Sequence, residues 1–487
     1  MHETGTNQIP NDQFIYHTLN MKHKLRRSIN LNLFRLFITA ALMSGGIHAF
    51  AQAPAKAAVS ERNVRAEMNF LAGNAMQGRG SGTQFERIAA EYVGSQFMQF
   101  GLDPAGEIGY DGKPTYVQTV QAPVRETLTG LAIDGTSIKL GDGLIAFSIA
   151  GKEITGPVQH AKPGDAAKKG AVVILSLPAD TKFEAIQGAV RQMSRDGAAA
   201  VIMLETNEIR ANWAEVAGRK ATLGRFGTLL AASTQAGEEL SKIAEGANIT
   251  LKGTFAAAPP TYTWNAIGKI AGTDPTLSSQ VILISSHLDH LGVRPTASGD
   301  DKIFNGADDD ASGTVAVLEL ARALASGAAP KRTVYFVCFG SEEAGGFGAN
   351  YFVNNLPFPK DKLVANLEFE MIGRPDAKVK PEELWLTGYE RSNLGPELAK
   401  RGAKLVQDPH PDQNFFQRSD NYTLARQGII AHTVSSFGLH TDYHKASDEP
   451  STIDFAHMTR SINAMVEPIK WLVNSDFVPT WNEGKKP

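Results

Sequence analysis

From Asn265 onward, short apolar runs alternate with amphipathic segments, and this alternation restricts the fold more than any other feature of the chain. "QVILISSH", "KRTVYFVCFG", "KLVANLEFEMIG" and "GIIAHTVSSFG" read as strands. "SGTVAVLELARALASG" reads as a helix, with Ser312 available as N-cap and Gly327 past its end, and "IDFAHMTRSINAMVEPIKWLV" as a long closing helix. Strands alternating with helices predict an α/β domain built on a mixed, largely parallel sheet flanked by helices. Upstream, "SERNVRAEMNFLAG" and "TQFERIAAEYVGSQFMQFG" are also expected to be helical. In the second, Phe85, Ile88, Ala89, Tyr92, Val93 and Phe97 recur at three- and four-residue spacing, and Gly101 can end it. The intervening "QGRGSGT" reads as a loop, and it is weak as a phosphate cradle because no strand precedes it.

Residues 123–256 change character, with short β-like runs ("LIAFSI", "GAVVILSL", "AAAVIML"), one helix and no His/Asp/Glu cluster. They read as a separate, non-catalytic module inserted in the main chain, with "APPTY" as the return linker. The N-terminus reads as a targeting segment. From Met21, a basic stretch (Lys22, Lys24, Arg26, Arg27) precedes an apolar run, Leu36 to Ile47, and then "AFA". That is the pattern of a secretory signal with cleavage near Ala51, and roughly a dozen apolar residues are too few to span a bilayer. Cleavage there takes the formal charge from −3 to −6. The expected organisation is therefore 1–51 extension and signal, 60–122 and 260–475 main domain, and 123–256 insert. A mildly acidic, exported protein with no stable membrane anchor follows, and the charge gives no footprint for nucleic acid.

Chemistry is expected where the strands end. An open α/β sheet binds ligands outside the carboxyl ends of its strands. Here the first strand runs into His287, Asp289 and His290, the second into Glu342 and Glu343, the third into Glu370, and the fourth leads to His440, Asp442, Tyr443, His444 and Asp448. The loop after the first strand, "FNGADDDASG", adds Asp308, Asp309 and Asp310. With a single cysteine, Cys338, any metal must be held by His, Asp and Glu. So many carboxylates on one edge are costly without a cation, and the mixed N/O set suits zinc. Two ions about 3.5–4 Å apart would absorb the charge and leave one carboxylate free for acid–base work.

The motifs "SSHLDHLG", "NGADDDASG", "FGSEEAGGFGANYFV", "LEFEMIG" and "DYHKASDE" resemble, in order and context, those of the co-catalytic zinc aminopeptidases, whose relatives include glutamate carboxypeptidases and glutaminyl cyclases. Residues 123–256, notably "GAAAVIML", resemble the small β-rich protease-associated domain often inserted in that family. The resemblance implies an exported enzyme that removes N-terminal residues from peptide substrates with two Zn2+ ions. His287 and Glu370 would hold one ion, Glu343 and His444 the other, and Asp309 would bridge them. Glu342 would be the general base, Asp289 would hold the second nitrogen of His287, and Tyr443 would donate to the oxyanion. Asp310 stands where Asn is usual and Glu370 where Asp is usual; Asp308, His290 and His440 are candidates for supporting roles. A carboxypeptidase using Arg374 or Arg418 to grip an α-carboxylate, a glutaminyl cyclase, and a non-catalytic binding protein are the competing readings.

Overall fold

The computed structural model describes residues 59–123, 126–218, 221, 223–224, 227–257, 260–295, 297 and 299–487. The expected signal segment lies outside the described residues. Among them, no helix is long and apolar enough to cross a membrane.

Four strands form the centre of the main sheet: β1 (Val281–His287), β2 (Thr333–Phe339), β3 (Leu363–Phe369) and β4 (Ala431–Ser435). They lie side by side in the order β2-β1-β3-β4, and all three pairings are parallel. Antiparallel neighbours extend both edges. Tyr262–Ile270 pairs with β2 and carries Val117–Gln121 and Asp103–Pro104, while Leu384–Leu386 pairs with β4 and in turn with Leu405–Gln407. The mixed, largely parallel sheet expected from the alternation is therefore present.

Because β side chains point to opposite faces in turn, each central strand feeds two cores. Ile282, Ile284, Phe336, Cys338 and Leu367 pack on one side with Met68, Phe97, Val317, Ile462 and Ile469 from four helices: Glu61–Leu71, Gln84–Phe100, Gly313–Ala325 and Phe455–Asn474. Val281, Leu283, Val337 and Phe339 pack on the other side with Phe352 of Phe347–Asn354 and Leu424 of Asn421–Ala425. Burial on both faces is why β1 and β2 read as nearly continuous apolar runs.

Helix ends mostly follow the sequence signals. Ser60 accepts from the Asn63 N–H as an N-cap, and Gly101 ends its helix at φ 84°. Within that second helix, Ala89, Val93 and Phe97 are buried as their spacing predicts, whereas Ile88 is 42% exposed. Ser312 is not an N-cap. It has helical backbone angles, its hydroxyl donates to the Asp308 carbonyl at 2.7 Å, and it accepts from the Ile372 N–H at 3.0 Å. It is committed to joining the aspartate loop to the end of β3.

Residues 126–257 form a second, seven-stranded sheet with its own apolar clusters. The chain leaves the main sheet after Val117–Gln121 and returns through Tyr262–Ile270, and these two strands pair with each other. Excursion and return thus start from adjacent strands, which lets an insert of this size leave the main sheet undisturbed.

Candidate metal centre

Parallel β1, β2, β3 and β4 bring four carboxyl ends to one edge. His287 closes β1, Glu342 and Glu343 follow β2, Glu370 follows β3, and His444 lies beyond β4. The aspartate loop enters between them, and its three acids go to different places.

Asp308 is committed to structure. Its Oδ1 accepts from the Gly373 N–H at 2.7 Å and its Oδ2 pairs with His440 Nε2 at 2.8 Å. Asp310 likewise faces backbone: Oδ1 accepts from Gly313 at 2.9 Å and Met371 at 3.1 Å, and Oδ2 accepts from His287 N–H at 3.3 Å. Asp309 alone of the three turns its carboxylate to the donor cluster. Oδ1 lies 3.2 Å from His287 Nε2 and Oδ2 lies 3.1 Å from His444 Nε2. Asp448 fixes this geometry by accepting from the backbone N–H groups of both Asp308 and Asp309.

The flanking glycines are dictated by the same crowding. Gly306 sits at φ 59°, and a Cβ there would collide with the Asp309 carbonyl oxygen and the His290 ring. A Cβ at Gly313 would meet the Phe369 carbonyl oxygen and the Asp310 carboxylate.

Two donor sets therefore share Asp309. His287, Asp309 and Glu370 form one, with Glu370 Oε1 4.0 Å from His287 Nε2. Glu343 Oε1 and Asp309 Oδ2 form the other with His444 Nε2, which lies 3.2 and 3.1 Å from them. The donor atoms fit a metal in a way that structural side chains do not. His287 Nε2, Asp309 Oδ2 and Glu343 Oε1 are buried and have no hydrogen-bond partner, and groups left so are costly unless a ligand takes them. All five metal ligands expected from the sequence come together here.

The charges respond to one another. Burial works against ionisation of Asp309, yet His287 and His444 hold its carboxyl well below the usual range. Burial likewise opposes ionisation of Glu343, and His290 and His444 hold its carboxyl below the ordinary value. Burial pushes Glu370 up to about 7, with His287 opposing and Asp309 reinforcing. Glu342 is raised by burial, with His287 opposing and Asp420, Glu370 and Glu343 adding repulsion. This excess of carboxylate is what a pair of divalent cations would neutralise.

Asp289, expected to hold the second nitrogen of His287, faces that ring and also serves the loop after β2. Its carboxylate Oδ1 is 3.8 Å from His287 Nδ1, which lies closer, at 3.2 Å, to the Asp289 carbonyl oxygen. The carboxylate also accepts from the N–H groups of Glu342 at 2.9 Å and Glu343 at 3.3 Å, and from the Ser81 hydroxyl at 2.5 Å. It fixes the loop that presents both glutamates. Tyr443 stacks on His444 with ring centroids 3.9 Å apart, and its hydroxyl is 3.4 Å from Arg418 Nη2. Arg374 is engaged by Asp442 at 2.7 Å and Asp448 at 3.2 Å.

Two supporting residues escaped the sequence reading. Arg79, in the glycine-rich loop, is 1% exposed and donates to the carbonyl oxygens of Leu71, Leu288, Asn305 and Gly306. It ties the His287 loop to the aspartate loop. Glu86 accepts from the N–H groups of Gly82 and Ser341 and from the Thr263 hydroxyl, holding the segment just before Glu342. An acid in line with the apolar positions of an amphipathic helix is the signal that could have exposed the second; the first has no such mark.

Strands, donor set and topology together define an α/β architecture with a metal-ligating cluster at the carboxyl edge of its parallel strands. More narrowly, residues 265–468 match the model of peptidase family M28. Among curated proteins, leupeptin-inactivating enzyme 1 of Streptomyces exfoliatus is 31% identical over 48% of this chain, which spans 54% of that enzyme. Aminopeptidase YwaD of Bacillus subtilis is 25% identical, covering 77% of this chain and 78% of its own length. The chain spans about half or less of the first curated relatives it matches. Among solved structures, the aminopeptidase from Aneurinibacillus sp. strain AM-1 superposes with a TM-score of 0.53 at 19% identity, covering 86% of this chain and 95% of that one. A zinc aminopeptidase from Bacillus subtilis gives 0.52 at 19% identity, with 86% and 96% covered. These two likenesses establish the fold.

Proposed function

We propose that this chain is an exported zinc aminopeptidase that releases N-terminal residues from peptides. The observation that carries the reading is the meeting of unpartnered donor atoms on Asp309, whose two oxygens face separate histidines. His287, Asp309 and Glu370 would hold one zinc, and Asp309, Glu343 and His444 the other. Zinc bound there would supply Lewis-acid polarisation of the scissile carbonyl and would acidify the attacking water.

Glu342 takes the proton from that water and passes it to the leaving amine, so no net charge accumulates on the chain. Its carboxyl, raised by burial, is shifted in the direction that a proton carrier working near neutrality needs. Asp289 keeps Glu342 in place through its backbone N–H. Tyr443 donates its hydroxyl to the developing oxyanion. The side chain of the terminal residue would enter the recess beside Glu370 lined by Met371, Trp385, Phe415 and Phe437. Residues 123–256 are read as the protease-associated insert, and the segment from Met21 as the export signal cleaved near Ala51.

Amino-acid p-nitroanilides should be hydrolysed by the purified protein, with activity abolished by chelation and by Glu342→Gln. Unchanged activity in that variant would remove Glu342 from the role of base. A second reading has one observation in its favour: Arg418 lines the same recess as Glu370 and Tyr443, where it could hold a substrate α-carboxylate. Cleavage of N-blocked but not C-blocked dipeptides would establish a carboxypeptidase instead.

A further inference from the structure

We propose that His290 is an additional metal ligand on the Glu343–His444 side, giving that position two imidazoles where the His287–Glu370 side has one. The inference rests on the metallopeptidase reading of the site and adds a residue to it.

The side chain of His290 is fully buried, its Nε2 has no partner, and its Nδ1 faces only the carboxylates of the donor cluster. Its Nδ1 lies 2.9 Å from Glu343 Oε1 and 3.8 Å from Asp309 Oδ2. These are the two oxygens approached by His444 Nε2, and they too lack hydrogen-bond partners. The rings of His290 and His444 stand 5.8 Å apart at 69°, edge to face. Two imidazoles thus converge on one pair of oxygens, and the donor atoms of His290, Asp309 and Glu343 all lie within 4.8 Å of one another.

Other buried histidines have at least one nitrogen held outside any metal-ligating cluster, as His410 Nε2 is by Asp376 at 2.7 Å. Both nitrogens of buried His432 are occupied, by the Thr387 carbonyl and the Ser392 hydroxyl at 2.7 Å each. Both nitrogens of His457 also find partners, at 3.2 and 3.1 Å. Crowding two imidazoles and two carboxylates into a dry site is expensive, and a cation at Nδ1 relieves part of that cost.

The loop is also shaped around this ring. Gly306 cannot carry a side chain because the His290 ring occupies the space, and the His290 N–H donates to the Arg79 carbonyl at 3.2 Å. The same arginine fixes the carbonyls of Leu288, Asn305 and Gly306 around it.

The two metal positions are consequently unequal. The His290 position keeps a nitrogen and two carboxylates even without His444, whereas the His287 position has no spare imidazole. X-ray absorption of the zinc-loaded wild-type protein should report about three imidazole ligands per pair of zinc ions, against about two without His290. Competition titration with a chromogenic chelator should show His290→Gln weakening one of two zinc affinities at least tenfold. His444→Ala should retain two zinc ions at saturation, and the His290→Gln/His444→Ala double variant should retain one. Thermal melts of the metal-free variants establish that they fold.

Two imidazoles per zinc pair, together with both affinities unchanged within twofold in His290→Gln, would overturn the assignment while leaving the metallopeptidase reading intact. A wild-type protein that binds no zinc would overturn both.

Discussion

Replacing Asp310 with alanine or with asparagine separates two explanations for a buried carboxylate that no cation touches directly. The side chain accepts from three buried N–H groups: Gly313 at 2.9 Å, Met371 at 3.1 Å and His287 at 3.3 Å. Each donor left without an acceptor costs about 1–3 kcal/mol, so alanine should destabilise the fold by about 3–6 kcal/mol, the long His287 contact counting least. Asparagine keeps an oxygen for Gly313 and Met371 and loses only that long contact. It also removes a carboxyl that burial, and then repulsion from Glu370 and Asp309, drives well above its ordinary range despite the pull of His287. The two effects oppose, and Asp310→Asn should change stability by less than about 1 kcal/mol. In thermal unfolding of the metal-free protein, followed by circular dichroism, alanine should lower Tm by roughly 6–15 °C and asparagine by no more than about 3 °C. If the two variants melt together, the accepted hydrogen bonds are not what the residue is for.

Three further outcomes follow from the geometry. Arg79→Lys leaves at least one of the four carbonyls held by the guanidinium without a donor, at about 1–3 kcal/mol for each one lost, so Tm should fall and zinc affinity should drop with it, as measured by chelator competition. His432 is pushed down to about 4 by burial and is neutral in the fold. Its stabilising contribution is present above its ordinary value near 6.5 and is lost as pH falls toward 4. Denaturant titrations at pH 7 and pH 5 should show the wild type losing about 2 kcal/mol more than His432→Gln. Asp289→Asn should lower kcat more than it lowers zinc content, because the carboxylate holds the backbone of Glu342 and Glu343 and lies 3.8 Å from the nearer nitrogen of His287.

The central sheet was legible because its strands are buried on both faces, so β1 and β2 show as nearly continuous apolar runs, while Asn366 and Glu368 interrupt β3 and His432 and Thr433 interrupt β4. The ligand positions were legible because parallel strands end on one edge and each end carries His or an acid. What the sequence could not separate was neighbours within a motif. Asp308, Asp309 and Asp310 are chemically identical in one dimension; only the family resemblance singled out Asp309, and the positions of Gly373, His440, Met371 and Gly313 give its neighbours their duties. Asp289 was expected to face His287, but its hold on two backbone N–H groups depends on how the loop after β2 folds back. Arg79 was invisible because its partners are carbonyl oxygens from three separate segments, and a carbonyl carries no mark in sequence. Ser312 looked like a helix cap until the end of β3 claimed its hydroxyl.

The account turns on Asp309 as the shared carboxylate of a two-metal site. Zinc per chain, measured by plasma mass spectrometry after equilibrium dialysis, tests this most directly on wild type, Asp309→Ala and Asp308→Ala. Two zinc ions in the wild type, most of the metal kept by Asp308→Ala, and an emptied site in Asp309→Ala are the predicted result. Two zinc ions retained by Asp309→Ala would contradict it.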